Sequence, residues 1–175
     1  MKKALLLAPL ALFLLLVGCK KVDQLLTFYI DDSQNIRIPA STPLAVLANL
    51  APITVSTQSE DKFKNNNTRA DLVKDVSLNK LTLTITDPNG QNFDFLQKIE
   101  ILIGTNANDQ VRLAFLDQVP RGVNSIELTS TNAKLDAYLK SSSYTLTTKV
   151  QTSQALSRDI TIKCDTRFKV TADPL

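Results

Sequence analysis

Between Leu81 and Thr86 every second residue is aliphatic and every other residue is threonine. A period of two puts Leu81, Leu83 and Ile85 on one face of an extended chain and Thr82, Thr84 and Thr86 on the other. The run therefore predicts a strand buried on one side only. Such a strand must be covered by a second layer. The same period returns near the C-terminus, where Tyr144, Leu146, Thr148 and Val150 share one face of a segment. It returns again in Ile160, Ile162, Cys164, Phe168 and Val170, opposite Thr161, Lys163, Asp165, Arg167 and Lys169.

The rest of the chain fits short strands joined by turns. Leu25 to Ile30 is rich in β-formers, and the polar run Asp31 to Asn35 before Ile36-Arg37-Ile38 predicts a turn and hence an opening hairpin. Thr42 before Pro43, with Leu44, Leu47 and Leu50 following, predicts a short helix or turn that ends at Pro52. Ile53 to Thr57 alternates as a half-buried strand does, and Gln58 to Thr68 is polar enough to predict a loop in which only Phe63 points inward. Asp87-Pro88-Asn89-Gly90 has turn chemistry and lacks the further spaced carboxylates of a calcium loop. Phe93, Phe95, Ile99, Ile101 and Ile103 line one face of the next segment, and Val111, Leu113 and Phe115 continue it. Ile126-Glu127-Leu128 follows Pro120-Arg121-Gly122, and Asn132 is placed to cap a helical turn bearing Leu135, Tyr138 and Leu139. Eight or nine strands of this kind predict an all-β fold, an antiparallel immunoglobulin-like β-sandwich with one or two short helical turns.

The N-terminus is of a different kind. Lys2 and Lys3 precede an apolar run from Ala4 to Val17, interrupted only by Pro9, and small Gly18 then stands before Cys19. A spanning helix needs about 20 apolar residues, so this shorter run predicts a cleaved leader. Leu16-Val17-Gly18-Cys19 closely resembles the lipobox of bacterial lipoproteins. The resemblance implies diacylglycerol on the Cys19 sulfur, signal-peptidase recognition of Leu16, Val17 and Gly18, cleavage after Gly18, and acylation of the new amine. An ordinary cleaved leader with an incidental Cys is the alternative. On the lipoprotein reading, residues 1–18 are the signal peptide, 19–24 the lipidated N-terminus and tether, and 25–175 one sandwich domain. Several acyl chains at about 0.8 kcal/mol per methylene would hold such a chain to the membrane permanently. The five tether residues reach roughly 16 Å.

Composition narrows the chemistry. Without Met1 to Gly18 the chain keeps 18 basic against 17 acidic residues, too even for the concentrated basic face that nucleic-acid binding needs. Lys20-Lys21 would lie against anionic lipid beside the anchor. There is no histidine, which removes Ser/His and Cys/His nucleophile pairs and histidine metal sites. Cys164 is the one thiol besides Cys19, and its place on the apolar face predicts a buried structural Cys. Asp31-Asp32 and Glu60-Asp61 read as solvated loop charges, Ser33 and Ser56 have no base beside them, and four glycines make no phosphate cradle. Asn66-Asn67-Thr68 fits a glycosylation sequon by spacing alone. No catalytic residue, cofactor or metal ligand is expected.

The body resembles small, mostly uncharacterised β-sandwich lipoproteins of Bacteroidota. The likeness rests on Leu81 to Thr86, Phe93-Asp94-Phe95-Leu96, Leu135 with Tyr138-Leu139, and Phe168 to Ala172. Surface-exported members tend to have acidic residues directly after the Cys, so Lys20-Lys21-Val22-Asp23 points instead to the periplasmic face of the outer membrane. The expectation is a lipid-anchored envelope protein acting as a non-catalytic binding or structural module, through loops or an edge strand offered to an envelope partner. The alternative is a carrier of a small apolar or lipidic ligand, suggested by Phe93, Phe95, Phe115 and Phe168.

Overall fold

The alternating runs pair into two antiparallel sheets in the computed structural model, which describes residues 25–40, 42–43 and 50–175. The first sheet contains β1 (Leu26–Ile38), β3 (Val73–Asp87), β6 (Ser125–Glu127) and β9 (Ile160–Ala172), in the order β1-β9-β3-β6. The second contains β2 (Ile53–Ser56), β4 (Leu96–Gly104), β5 (Val111–Leu116), β7 (Thr129–Ser130) and β8 (Ser143–Thr152), in the order β2-β8-β4-β5-β7. This is the expected all-β sandwich. Among the described residues it has two short α-helices, α1 (Ser59–Asn65) and α2 (Asp136–Lys140).

The C-terminal strand lies between β1 and β3, and its period of two is unbroken. Ile160, Ile162, Cys164, Thr166, Phe168, Val170 and Ala172 are all buried on the inner face. β9 pairs with β1 in unbroken register from Leu26 opposite Ala172 to Ile38 opposite Ile160, and with β3 across three irregularities. Facing it, Tyr144 of β8 meets Phe168 edge-on with ring centroids 6.1 Å apart. Aromatic pairs in this arrangement add about 0.5–1.5 kcal/mol beyond the area they bury. The chain changes sheets at Leu128. The Leu128 N–H donates to the Leu81 carbonyl at 2.9 Å, and three residues on the Thr131 N–H donates to the Leu113 carbonyl at 3.1 Å.

Several sequence expectations need correction. Asp31 to Asn35 does not turn: β1 runs straight through it, because thirteen consecutive pairs with β9 outweigh the local polarity. Asp32 is thus a half-buried strand residue rather than a solvated loop charge. Gln58 to Thr68 is mostly helical, not a loop. Glu60 and Asp61 lie in the first turn of α1, where carboxylates favour a helix, and Phe63 is fully buried as expected. Asn132 does not cap α2. It sits at φ +57°, a left-handed conformation that asparagine tolerates, while Leu135 occupies the position before the helix.

Phe115 faces the opposite way from expectation. Ile101 pairs with Ala114 but Leu102 pairs with Arg112, so Leu113 is an inserted residue in β5. A bulge shifts the alternation by one. Leu113 and Ala114 are both buried, while Phe115 lies opposite Glu100 on the outer face, with the Arg112 guanidinium 3.9 Å above its ring. The turn at Pro88 is as expected, with the Gln91 N–H donating to the Pro88 carbonyl at 3.2 Å. The helix or turn foreseen between Thr42 and Pro52 falls mainly on residues outside those described.

Candidate functional site

Leu16, Val17, Gly18 and Cys19 lie outside the described residues, so the site that the structure offers is built from the strand that follows them. Among the described residues β1 is an edge strand, paired on one side only. Its direction of hydrogen bonding follows from its neighbours. Leu128 N–H to Leu81 O and Ile85 N–H to Asn124 O show that the odd-numbered residues of central β3 turn their backbone toward β6. The even residues Thr82 and Thr84 therefore turn toward Asp165 and Lys163 of β9. Alternate residues of β9, Cys164 and Thr166, then face Gln34 and Asp32 of β1. Tyr29, Asp31, Ser33, Asn35 and Arg37 are left presenting their N–H and C=O groups to the open edge.

The side chains of these five residues project from the outer face of the sheet, and all five are exposed. Arg167 Nε donates to Asp31 Oδ1 at 2.7 Å, which holds the guanidinium pKa above its ordinary value. The same guanidinium stands 5.8 Å from the ring centre of Tyr29. Farther along, Arg37 bonds Asp159 at 2.9 Å, and the Ala40 N–H donates to the same carboxylate at 2.9 Å. The backbone donor, then Arg37, lowers the Asp159 pKa. Such exposed pairs contribute little to stability. They fix the two charged side chains at known places along the edge.

Inside the same strand is a small polar group. Asp32 accepts from the Ser33 N–H at 2.8 Å, from Gln34 Nε2 at 3.3 Å and from the Tyr144 hydroxyl at 3.3 Å. Burial first, then Asp32, raises the pKa of the Tyr144 phenol. Burial also pushes the neighbouring Cys164 thiol up to about 12, so it is held as a thiol. The group joins β1 to β8 across the sandwich. Both perturbed groups, the Tyr144 phenol and the Cys164 thiol, are shifted toward their protonated forms.

Between the sheets lies an apolar cavity, bounded by Ile36, Leu50, Phe93, Phe95, Ile101 and Val150 among others. Its volume is about 30 Å³. Sites for small molecules usually enclose about 300–1,000 Å³. Of the four phenylalanines that suggested a carrier, Phe93 and Phe95 line it, Phe168 is fully buried in the core, and Phe115 is on the outer face. Among the described residues no cluster of thiols and carboxylates is placed to hold a metal ion, and no helix is long and apolar enough to cross a membrane. Ser33 and Ser56 are exposed on their strands.

No protein-family model matches the chain, and no curated protein is significantly similar to it. The open edge is not among the sequence expectations, because the polar run Asp31 to Asn35 has the composition of a turn. Its signal was nevertheless present: Ile30, Ile36 and Ile38 keep one parity through the run, and Tyr29, Asp31, Ser33, Asn35 and Arg37 keep the other.

Proposed function

We propose that the chain is a lipid-anchored protein of the bacterial envelope, tethered through Cys19 at the periplasmic face of the outer membrane. In this reading it acts without catalysis, as a binding or structural module that accepts an envelope partner along β1. One observation supports this most directly. Among the described residues the longest open edge of either sheet, thirteen residues, begins within a few residues of the proposed anchor, whereas the edges β2, β6 and β7 are four, three and two residues long. An unpaired edge is a template for a further strand.

The carrier reading takes second place because the cavity would have to grow about tenfold to admit a ligand of ordinary size. To test the edge, a photo-reactive residue is placed at Ser33 or Asn35 in cells, with Lys149 on the outer face of the second sheet as control. Specific protein adducts from the two β1 positions and none from Lys149 are expected. Equal background from all three positions would refute the proposal.

A further inference from the structure

The open edge of β1 is complementary to itself. We infer that its occupant is β1 of a second copy of this chain, paired antiparallel about a two-fold axis through Gln34. This deepens the edge reading above by naming its partner. Antiparallel pairing about Gln34 sets Asp31 opposite Arg37 of the second copy, and the two-fold repeats the contact with the copies exchanged. Ser33 falls opposite Asn35, and on the inner face Ile30 falls opposite Ile38. The residues that would exchange hydrogen bonds, Asp31, Ser33, Asn35 and Arg37, are those whose backbone groups face the open edge.

The register is selected by three features. A slip of one residue would set outer-face side chains beside inner-face ones, which the pleat forbids. A slip of two moves Asp31 away from Arg37, opposite either Asn35 or Pro39, and loses both ion pairs. Pro39, which has no N–H, ends the ladder opposite Tyr29. The existing pairs extend the pattern. Arg167 on Asp31, and Asp159 on Arg37, would complete rows of alternating charge across the junction. A strand from an unrelated protein has no reason to satisfy this symmetry twice. One local change is required: the Ser33 N–H, now held by Asp32 at 2.8 Å, must turn to the Asn35 carbonyl of the second copy.

The test uses the full chain in its own membranes. Directly opposed residues in a non-hydrogen-bonded pair have Cα atoms about 4.5 Å apart, within disulfide range. Cys164 of β9 faces residue 34 within one copy, so the cysteine variants are made in a Cys164→Ser background, where Gln34→Cys is expected to form a covalent dimer on mild oxidation. Ser33→Cys, whose mate lies two residues along, should stay monomeric. In detergent, Asp31→Arg and Arg37→Asp should each weaken dimerisation by about 5- to 30-fold, and the two together should restore it. Rescue separates this role from the contacts to Arg167 and Asp159 within one copy, which the double swap makes worse. A covalent dimer of the Cys164→Ser parent would mean a free Cys19 and count against the anchor alone; the charge swaps still judge the pairing. The inference is overturned if Gln34→Cys stays monomeric and the swaps leave the mass unchanged, or if Ser33→Cys links in its place. It is also overturned if β1 crosslinks only to a different protein, an outcome that leaves the edge reading intact.

Discussion

The phase of β5 separates two neighbouring side chains that simple alternation would place together. Leu113 is 1 % exposed, so Leu113→Ala removes a side chain from a closed core. Substitutions of this kind cost about 3 kcal/mol or more, according to how far the surroundings collapse. For a chain of this size that corresponds to a fall of about 6–12 °C in Tm. Phe115→Ala removes a larger side chain, yet one that lies on the outer face beneath Arg112. Its loss should cost only about 1 kcal/mol, of which the contact with the guanidinium supplies about 0.5–1 kcal/mol. Urea unfolding of a soluble Cys19→Ser form, followed by circular dichroism, measures both. Arg112→Ala closes a double-mutant cycle with Phe115→Ala, and a coupling of about 0.5 kcal/mol or more is expected. A Phe115→Ala penalty equal to that of Leu113→Ala would refute the bulge and restore unbroken alternation.

Cys19→Ser should abolish incorporation of a clickable fatty acid and move the protein out of the detergent phase, whereas Cys164→Ser should change neither; label retained in the first variant would sink the anchor. Phe63 is fully buried beneath α1 and packs edge-on against Phe28 at 6.4 Å, so Phe63→Ala should cost about 3–5 kcal/mol, and a loss under 1 kcal/mol in urea would show that α1 is not held by this side chain. Stability should also fall at alkaline pH. Burial raises the Cys164 thiol from 9.0 to about 12 and keeps the Tyr144 phenol above its ordinary 10.0, so the unfolded chain releases these protons first. The urea midpoint should therefore decline as the pH rises past about 9, less steeply in Cys164→Ser; identical slopes would contradict the assignment.

The parts of the fold legible in the sequence are those where alternation is unbroken and one face is closed. β9, β8 and the first residues of β4 show it, and Cys164 could be placed in the core from its parity alone. β1 failed for the opposite reason. Its middle residues are polar on both faces, and only thirteen pairs with a strand more than a hundred residues away make it extended. Local propensity cannot report such a partner. The bulge at Leu113 failed because insertion of one residue leaves the composition of the run unchanged and inverts every later side chain. The anchor motif was legible as chemistry, and the open edge only as geometry.

The passage of the chain from β6 to β7 has a mechanical consequence. One continuous peptide is laddered into both sheets at that margin, which makes it the spine of a book. The opposite margin is the fore-edge, where β1 and β2 lie and where the Tyr144 hydroxyl, reaching Asp32 at 3.3 Å, acts as a clasp. Amide exchange should therefore be faster along β1 and β2 than beside Leu128, and slowest in the interior strands β9, β3, β8 and β4, and a partner seated on β1 should slow it along that strand.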